Sequence, residues 1–216
     1  MISPTTTIAL LGLVTALAAL GFGERVLERM RLSTTGAVII LLAMVGAHFL
    51  PEWSLTERVT IHLGSVILLG IVIYLVTTAS EAEALRALAV GLITAAVIWL
   101  SDKLLPVDPS SRWFVVDPVF IGGIVSGLTA YALGRSRRSA FCGAVLGLMF
   151  VDLINAYELA RAGINQPISI GGGGLLASIS LNPLIAVAIA EAVGEIRERL
   201  HRGPSVQAGG EGNDQE

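Results

Sequence analysis

The chain has 216 residues, 54% hydrophobic and only 14% charged, with a mean hydropathy of +0.77, far greasier than a soluble domain, in which about a quarter of residues are charged. A formal net charge of −3, drawn partly from Glu211, Asp214 and Glu216, excludes a broad basic surface for nucleic acid. The single cysteine, Cys142, sits in an apolar run, which excludes a disulfide framework and a cysteine-based zinc site and marks it as a small buried hydrophobe.

Seven apolar segments follow in chain order: Thr5–Phe22, Ser33–Leu50, Val59–Thr78, Leu85–Leu100, Trp113–Leu133, Ala140–Tyr157 and Leu175–Val193. Each approaches the roughly 20 residues that carry a helix across about 30 Å of hydrocarbon, where only a helix or a closed barrel satisfies its own backbone. The runs are continuous and do not alternate, so helices are expected. The fold class is therefore all-α: a polytopic transmembrane bundle of about seven helices occupying residues 1–202. The fourth segment is the weakest, being short and starting at Arg86, and six spans plus one shallow helix is the competing count. The stretch Met1–Thr7 holds no Lys or Arg, and basic charge follows the first apolar run, so that run reads as a retained, reverse-oriented anchor and not as a cleaved signal. Residues 203–216 are polar and glycine-rich, without apolar periodicity, and are expected to form a disordered cytoplasmic tail.

Orientation follows from the basic residues. The gaps after segments one, three and five, with the C-terminal flank, hold Arg25, Arg29, Arg31, Arg86, Arg135, Arg137, Arg138, Arg197, Arg199 and Arg202; the opposite gaps hold only Arg58, Lys103, Arg112 and Arg161. The positive-inside rule makes the first set cytoplasmic, so the N-terminus lies outside and the C-terminus inside a multi-pass protein of the cell (plasma) membrane. Trp53, Trp99 and Trp113 then fall near the outer boundary, where amphipathic rings settle. Shifting the chain by 107 positions places Arg31, Gly36, Ala37 and Val38 on Arg138, Gly143, Ala144 and Val145, and Ile61, Gly64, Leu68 and Leu69 on Ile168, Gly171, Leu175 and Leu176. A parallel repeat of 3+1+3 form accounts for this echo, as does the ease with which apolar sequences match.

Asp152 is the sharpest single signal, a carboxylate with apolar neighbours on both sides inside the sixth segment. Burying it ionised costs about 2.5–3.5 kcal/mol on insertion scales, so it must face a partner, a cavity or the bundle interior, or be protonated. Asn155 shares its helical face. A proton- or ion-coupling site and a carboxyl simply hydrogen-bonded to a neighbouring helix are the two readings. Asp117, before Pro118, suits a helix start. On the assigned topology Asp117, Asp152, Glu158, His48 and His62 all gather toward the outer half, yet no close His/Glu spacing asks for a metal. Gly171, Gly172, Gly173 and Gly174 form either a re-entrant, ligand-contacting loop or a close packing surface. The run lacks the Lys-Ser/Thr of a phosphate loop, so no nucleotide cofactor is implied. Asn182-Pro183 puts an amide and a helix-breaking imide at mid-bilayer, where a kink or a broken helix is expected.

The stretch Val151-Asp152-Leu153-Ile154, then Ile168-Ser169-Ile170 with the glycine run, then Glu191-Ala192-Val193-Gly194-Glu195-Ile196-Arg197-Glu198-Arg199, resembles the domain-of-unknown-function family numbered 1614. Val116-Asp117-Pro118 and Gly134-Arg135-Ser136-Arg137-Arg138 are similar too. The resemblance implies a prokaryotic multi-pass membrane protein with no firmly assigned activity. In that family a Phe-Asp pair commonly follows the glycine run, whereas here the stretch is Leu175-Leu176-Ala177-Ser178, without the carboxylate. Three functions fit these residues: a small-solute or ion transporter coupled to protons through Asp152, a non-catalytic membrane scaffold or assembly partner, and an aspartyl protease-like enzyme using Asp117 and Asp152. The partners expected are the lipid bilayer, a small solute or ion, and further copies of the chain or another protein.

Overall fold

A computed structural model describes residues 4–56, 59–104, 120–164, 166–172 and 174–201. In chain order these form α1 (Pro4–Ala19), α2 (Glu24–Arg29), α3 (Thr34–Ala47), β1 (Glu52–Ser54), β2 (Val59–His62), α4 (Leu63–Thr77), α5 (Glu81–Leu104), α6 (Ile121–Gly134), α7 (Arg137–Arg161), β3 (Ile168–Ile170) and α8 (Gly174–His201). The helical expectation holds for the bulk of the chain. Asp117, Trp113, Gly173 and the tail after His201 lie outside the described residues.

Three helices, α5, α7 and α8, are long and apolar enough to cross a membrane; α1, α3, α4 and α6 are apolar but shorter. The segment that begins at Arg86 is thus one of the strongest. Its helix starts earlier, at Glu81, with Glu81 and Glu83 in the first turn and Lys103 in the last, charges that complement the helix dipole. The expected kink at Asn182-Pro183 does not break α8, which runs through the proline.

The third apolar segment is not wholly helical. Val59–His62 is a strand, paired antiparallel with β1 and parallel with β3, and the helix starts only at Leu63. The parallel register sets Val59 beside Ile168 and Ile61 beside Ile170. β-branched residues favour the pleat, and His62 closes the strand by turning its Nδ1 to accept from the Gly64 N–H at 3.0 Å, capping α4. Ser33 and Ser136 cap α3 and α7 in the same way.

The helices sort into two groups. α5, α6, α7 and α8 pack intimately on one another, whereas α1, α3 and α4 form a second layer that meets the first mainly where α4 touches α7 and α8. In lipid no hydrophobic force draws helices together, and close approach through small residues replaces it. A Cβ at Gly143 would collide with Val90, one at Gly147 would lie 2.7 Å from Thr94 Cβ, and one at Gly127 would lie 2.6 Å from the Ala186 carbonyl oxygen. These seams knit α5 to α7 and α6 to α8. The join between the two groups is apolar in its middle, where Leu11, Leu68, Ile71 and Leu75 share a core with Phe141, Val145, Leu148 and Ile179. Its polar contacts fall at the two ends.

Candidate functional site

At the sheet end, α7 carries Asp152 into the interior, where only 6% of the residue is exposed. Its Oδ2 accepts a hydrogen bond of 2.9 Å from the Gly171 N–H, at the turn between β3 and α8. Gly171 has φ 64, in the left-handed region that favours glycine, and a Cβ there would collide with Ser65 at the start of α4. The turn therefore needs glycine twice over, for conformation and for room. Ser65 in turn donates to the His62 carbonyl at 2.7 Å. Asp152, Gly171, Ser65 and His62 thus form one continuous joint between the two helix groups, directly beneath the β2–β3 pair. His48 makes no hydrogen bond within this joint but lies close enough to His62 to interact with it electrostatically; its Nδ1 is against the Met44 carbonyl at 2.9 Å and its Nε2 is buried without a hydrogen-bond partner among the described residues. Asn155 is half-buried one turn beyond Asp152 on α7. Among the described residues no three His, Cys, Asp or Glu side chains gather as a metal would require.

Asn182 is somewhere else. It is fully buried on α8, its Oδ1 accepting from the Gly123 N–H at 2.7 Å and its Nδ2 donating to the Ser178 carbonyl at 2.9 Å. The first bond lets the backbones of α6 and α8 touch, since a Cβ on Gly123 would sit 2.8 Å from that same Oδ1. The amide is a clasp between helices. Asn182→Leu strands the Gly123 N–H in a dry interior, and a loss of about 1–3 kcal/mol is expected, read as a lower denaturant midpoint in detergent. An unchanged midpoint would remove the clasp from the account. Of the glycine run, Gly171 contacts Asp152, Gly172 packs over Ser169 and Glu52, and Gly174 begins α8.

The opposite end is held by ions that sequence reasoning used only as markers of sidedness. Glu191, on α8 and with its side chain 14% exposed, accepts from Arg137 Nε at 2.8 Å and from Arg29 Nη1 at 3.1 Å. Arg29 reaches Glu198 as well, at 3.1 Å. Because Arg29 belongs to α2, the connection between α1 and α3, and Arg137 to α7, this one carboxylate ties both helix groups together. Nearby, Ser136 donates to Glu83 at 2.6 Å, Ser139 to the Glu83 carbonyl at 3.2 Å, and buried Arg138 to the Thr78 carbonyl at 3.1 Å. These bonds splice α7 onto the α4–α5 turn. Glu191 carried the same signal as Asp152, a carboxylate within an apolar segment, and its i+4 and i+7 neighbours Glu195 and Glu198 disguised it as the helix leaving the membrane. At the sheet end a smaller tie joins α5 to α7, where Glu158 accepts from Trp99 Nε1 at 2.9 Å and Lys103 at 2.7 Å.

No curated protein and no solved structure matches the chain. Residues 25–189 match the family described as "Protein of unknown function (DUF1614)". That stretch takes in the sheet end, with the β2–β3 pair and Asp152, the Asn182 clasp, and Arg29 and Arg137 of the arginine end, stops two residues short of Glu191, and covers well over half of the sequence. By that match the chain belongs to the DUF1614 family.

Proposed function

We propose that this membrane protein is a carrier for a small solute or an ion, in which α1, α3 and α4 move against α5, α6, α7 and α8 and Asp152 is the coupling carboxylate. The observation that carries the reading is the Asp152–Gly171 hydrogen bond, a buried acid holding the backbone N–H of the turn that packs against Ser65 of α4, where the second group meets the first. An ionised carboxylate accepts that N–H strongly, and a protonated one binds it far less well, so proton uptake loosens the turn on which α4 and β2 rest at the sheet end. Fasteners at both ends of an apolar seam are what alternating access needs, one opening while the other holds. The topology that goes with this reading is seven crossings, with the N-terminus outside and the arginine end in the cytoplasm. The cell membrane is the expected site.

The test is proton-linked uptake in proteoliposomes of the full chain. Asp152→Asn keeps the shape of the side chain, and it is expected to abolish the pH dependence of flux while leaving the denaturant midpoint within about 1 kcal/mol of the parent, because one neutral acceptor still faces Gly171. Flux with an unaltered pH profile would sink the coupling role.

A second reading has its own support. The Asn182 clasp and the glycine seams of α5–α7 and α6–α8 show an interior tied for packing. A non-catalytic scaffold, assembling with copies of itself or with another protein, has the same need. Absence of any flux together with a defined complex on co-purification favours it. The protease alternative requires Asp117 to face Asp152, and Asp117 lies outside the described residues.

A further inference from the structure

A cleft opens at the arginine end between α6, α7 and α8, beside α2, lined by Arg29, Tyr131, Arg135, Arg137, Gly194, Arg197 and Glu198. Among the described residues the lining sets four guanidinium groups against one carboxylate, and Glu191 behind Arg29 and Arg137 makes four cations to two anions. The floor is built into the fold. Arg137 is 7% exposed; its Nε is held by Glu191 and its Nη1 by the Arg135 carbonyl at 2.7 Å. Gly194 makes the room for this guanidinium, because a Cβ there would lie 2.6 Å from Arg137 Nη2. Arg135 is fixed from the other side, ending α6 with φ 55 and setting its guanidinium 5.9 Å from the centre of the Tyr131 ring.

Guanidinium groups converging on a partly buried cleft recognise a phosphate, whose oxygens accept paired N–H donors. The same helices turn exposed apolar side chains outward within a turn or so of these arginines, Leu133 on α6 and Ile196 and Leu200 on α8. A ligand that suits both has an anionic phosphate head and a hydrocarbon tail. We propose that this cleft binds the phosphate of an anionic phospholipid, gripped by Arg135 and Arg197 at its rim over a floor of Arg29 and Arg137, with its acyl chains along α6 and α8. Basic pockets between helices at a membrane surface act on lipid head groups in this manner. Inorganic phosphate shares the head-group chemistry and lacks the tail, which separates the two sources experimentally.

The test uses the full-length protein in detergent, titrated with phosphatidylglycerol, with phosphatidylcholine and with inorganic phosphate, and bound lipid counted by native mass spectrometry. Arg135→Gln and, separately, Arg197→Gln remove one cation each from the cleft rim, and Arg161→Gln removes one at the opposite end as a charge-matched control. Phosphatidylglycerol is expected to bind in preference to phosphatidylcholine, with about fivefold weaker affinity in each rim variant and none of that loss in the control, since one arginine near a membrane surface contributes about 1 kcal/mol. Millimolar phosphate should not displace it. Equal binding of the two lipids, equal loss in Arg161→Gln, or no loss in either rim variant whose thermal unfolding matches the parent overturns the proposal. Displacement by phosphate alone overturns the assignment to lipid.

Discussion

Glu191→Ala is expected to destabilise the protein by about 3–5 kcal/mol, the largest single effect of any side chain at the arginine end, because it leaves buried guanidinium charge without its counter-ion. Arg137 cannot turn to water: its side chain is 8% exposed and its Nη1 is already committed to the Arg135 carbonyl. Arg29, at 28%, retains Glu198 and suffers less. The penalty therefore comes mostly from α7, and a double substitution distinguishes loss of a charge from loss of a contact. Arg137→Met with Glu191→Leu removes both ions while keeping volume, and it should recover most of the stability lost by Glu191→Ala. Equilibrium unfolding in detergent micelles measures both. If Glu191→Ala unfolds at the parent's denaturant concentration, the ion triad does not hold the two helix groups together.

Gly171→Ala is the second large effect, and its two causes can be separated. Left-handed backbone costs a residue with a Cβ about 1–2 kcal/mol, and forcing that Cβ against Ser65 adds about 1–3 kcal/mol of overpacking. Adding Ser65→Gly removes the collision and leaves the backbone strain, so the double variant should regain the second contribution and not the first. The Gly171 N–H also shifts relative to Asp152, so the loss of stability is expected to come with a loss of uptake. A Gly171→Ala protein as stable as the parent would mean that the turn between β3 and α8 has another conformation.

How much of this was legible beforehand depended on whether a signal was periodic or spatial. The apolar runs and the arginine bias were legible because solvent acts on each residue in turn. The strength of α5 was hidden by Arg86, which seemed to begin the segment late; in the fold its guanidinium lies against Gly134 of α6, where a Cβ would approach its Nη1 to 2.7 Å, and the helix continues back to Glu81. Strands β2 and β3 were illegible because a short apolar run carries no period of its own and here merges into an apolar helix. Their one trace was the match of Ile61 with Ile168 in the internal echo, residues that fall two positions apart in the parallel register. Asp152 was found as a buried acid, but its partner is a backbone N–H, which no side-chain pattern announces. Asn182-Pro183 was read as a kink or a break; α8 continues through the proline, and the amide serves as a clasp to α6, a role that no spacing announced.

The parallel pairing of Val59 with Ile168 also sets an order of manufacture. As the chain leaves the ribosome, the β1–β2 hairpin can close at once, but the far edge of β2 has no neighbour until α5, α6 and α7 have been made and inserted. Until then the first helices sit in the bilayer with an open strand edge and with Arg29 lacking Glu191; β3 closes the first and α8 supplies the second. Chains cut short before α8 should therefore be the ones that quality-control proteases remove.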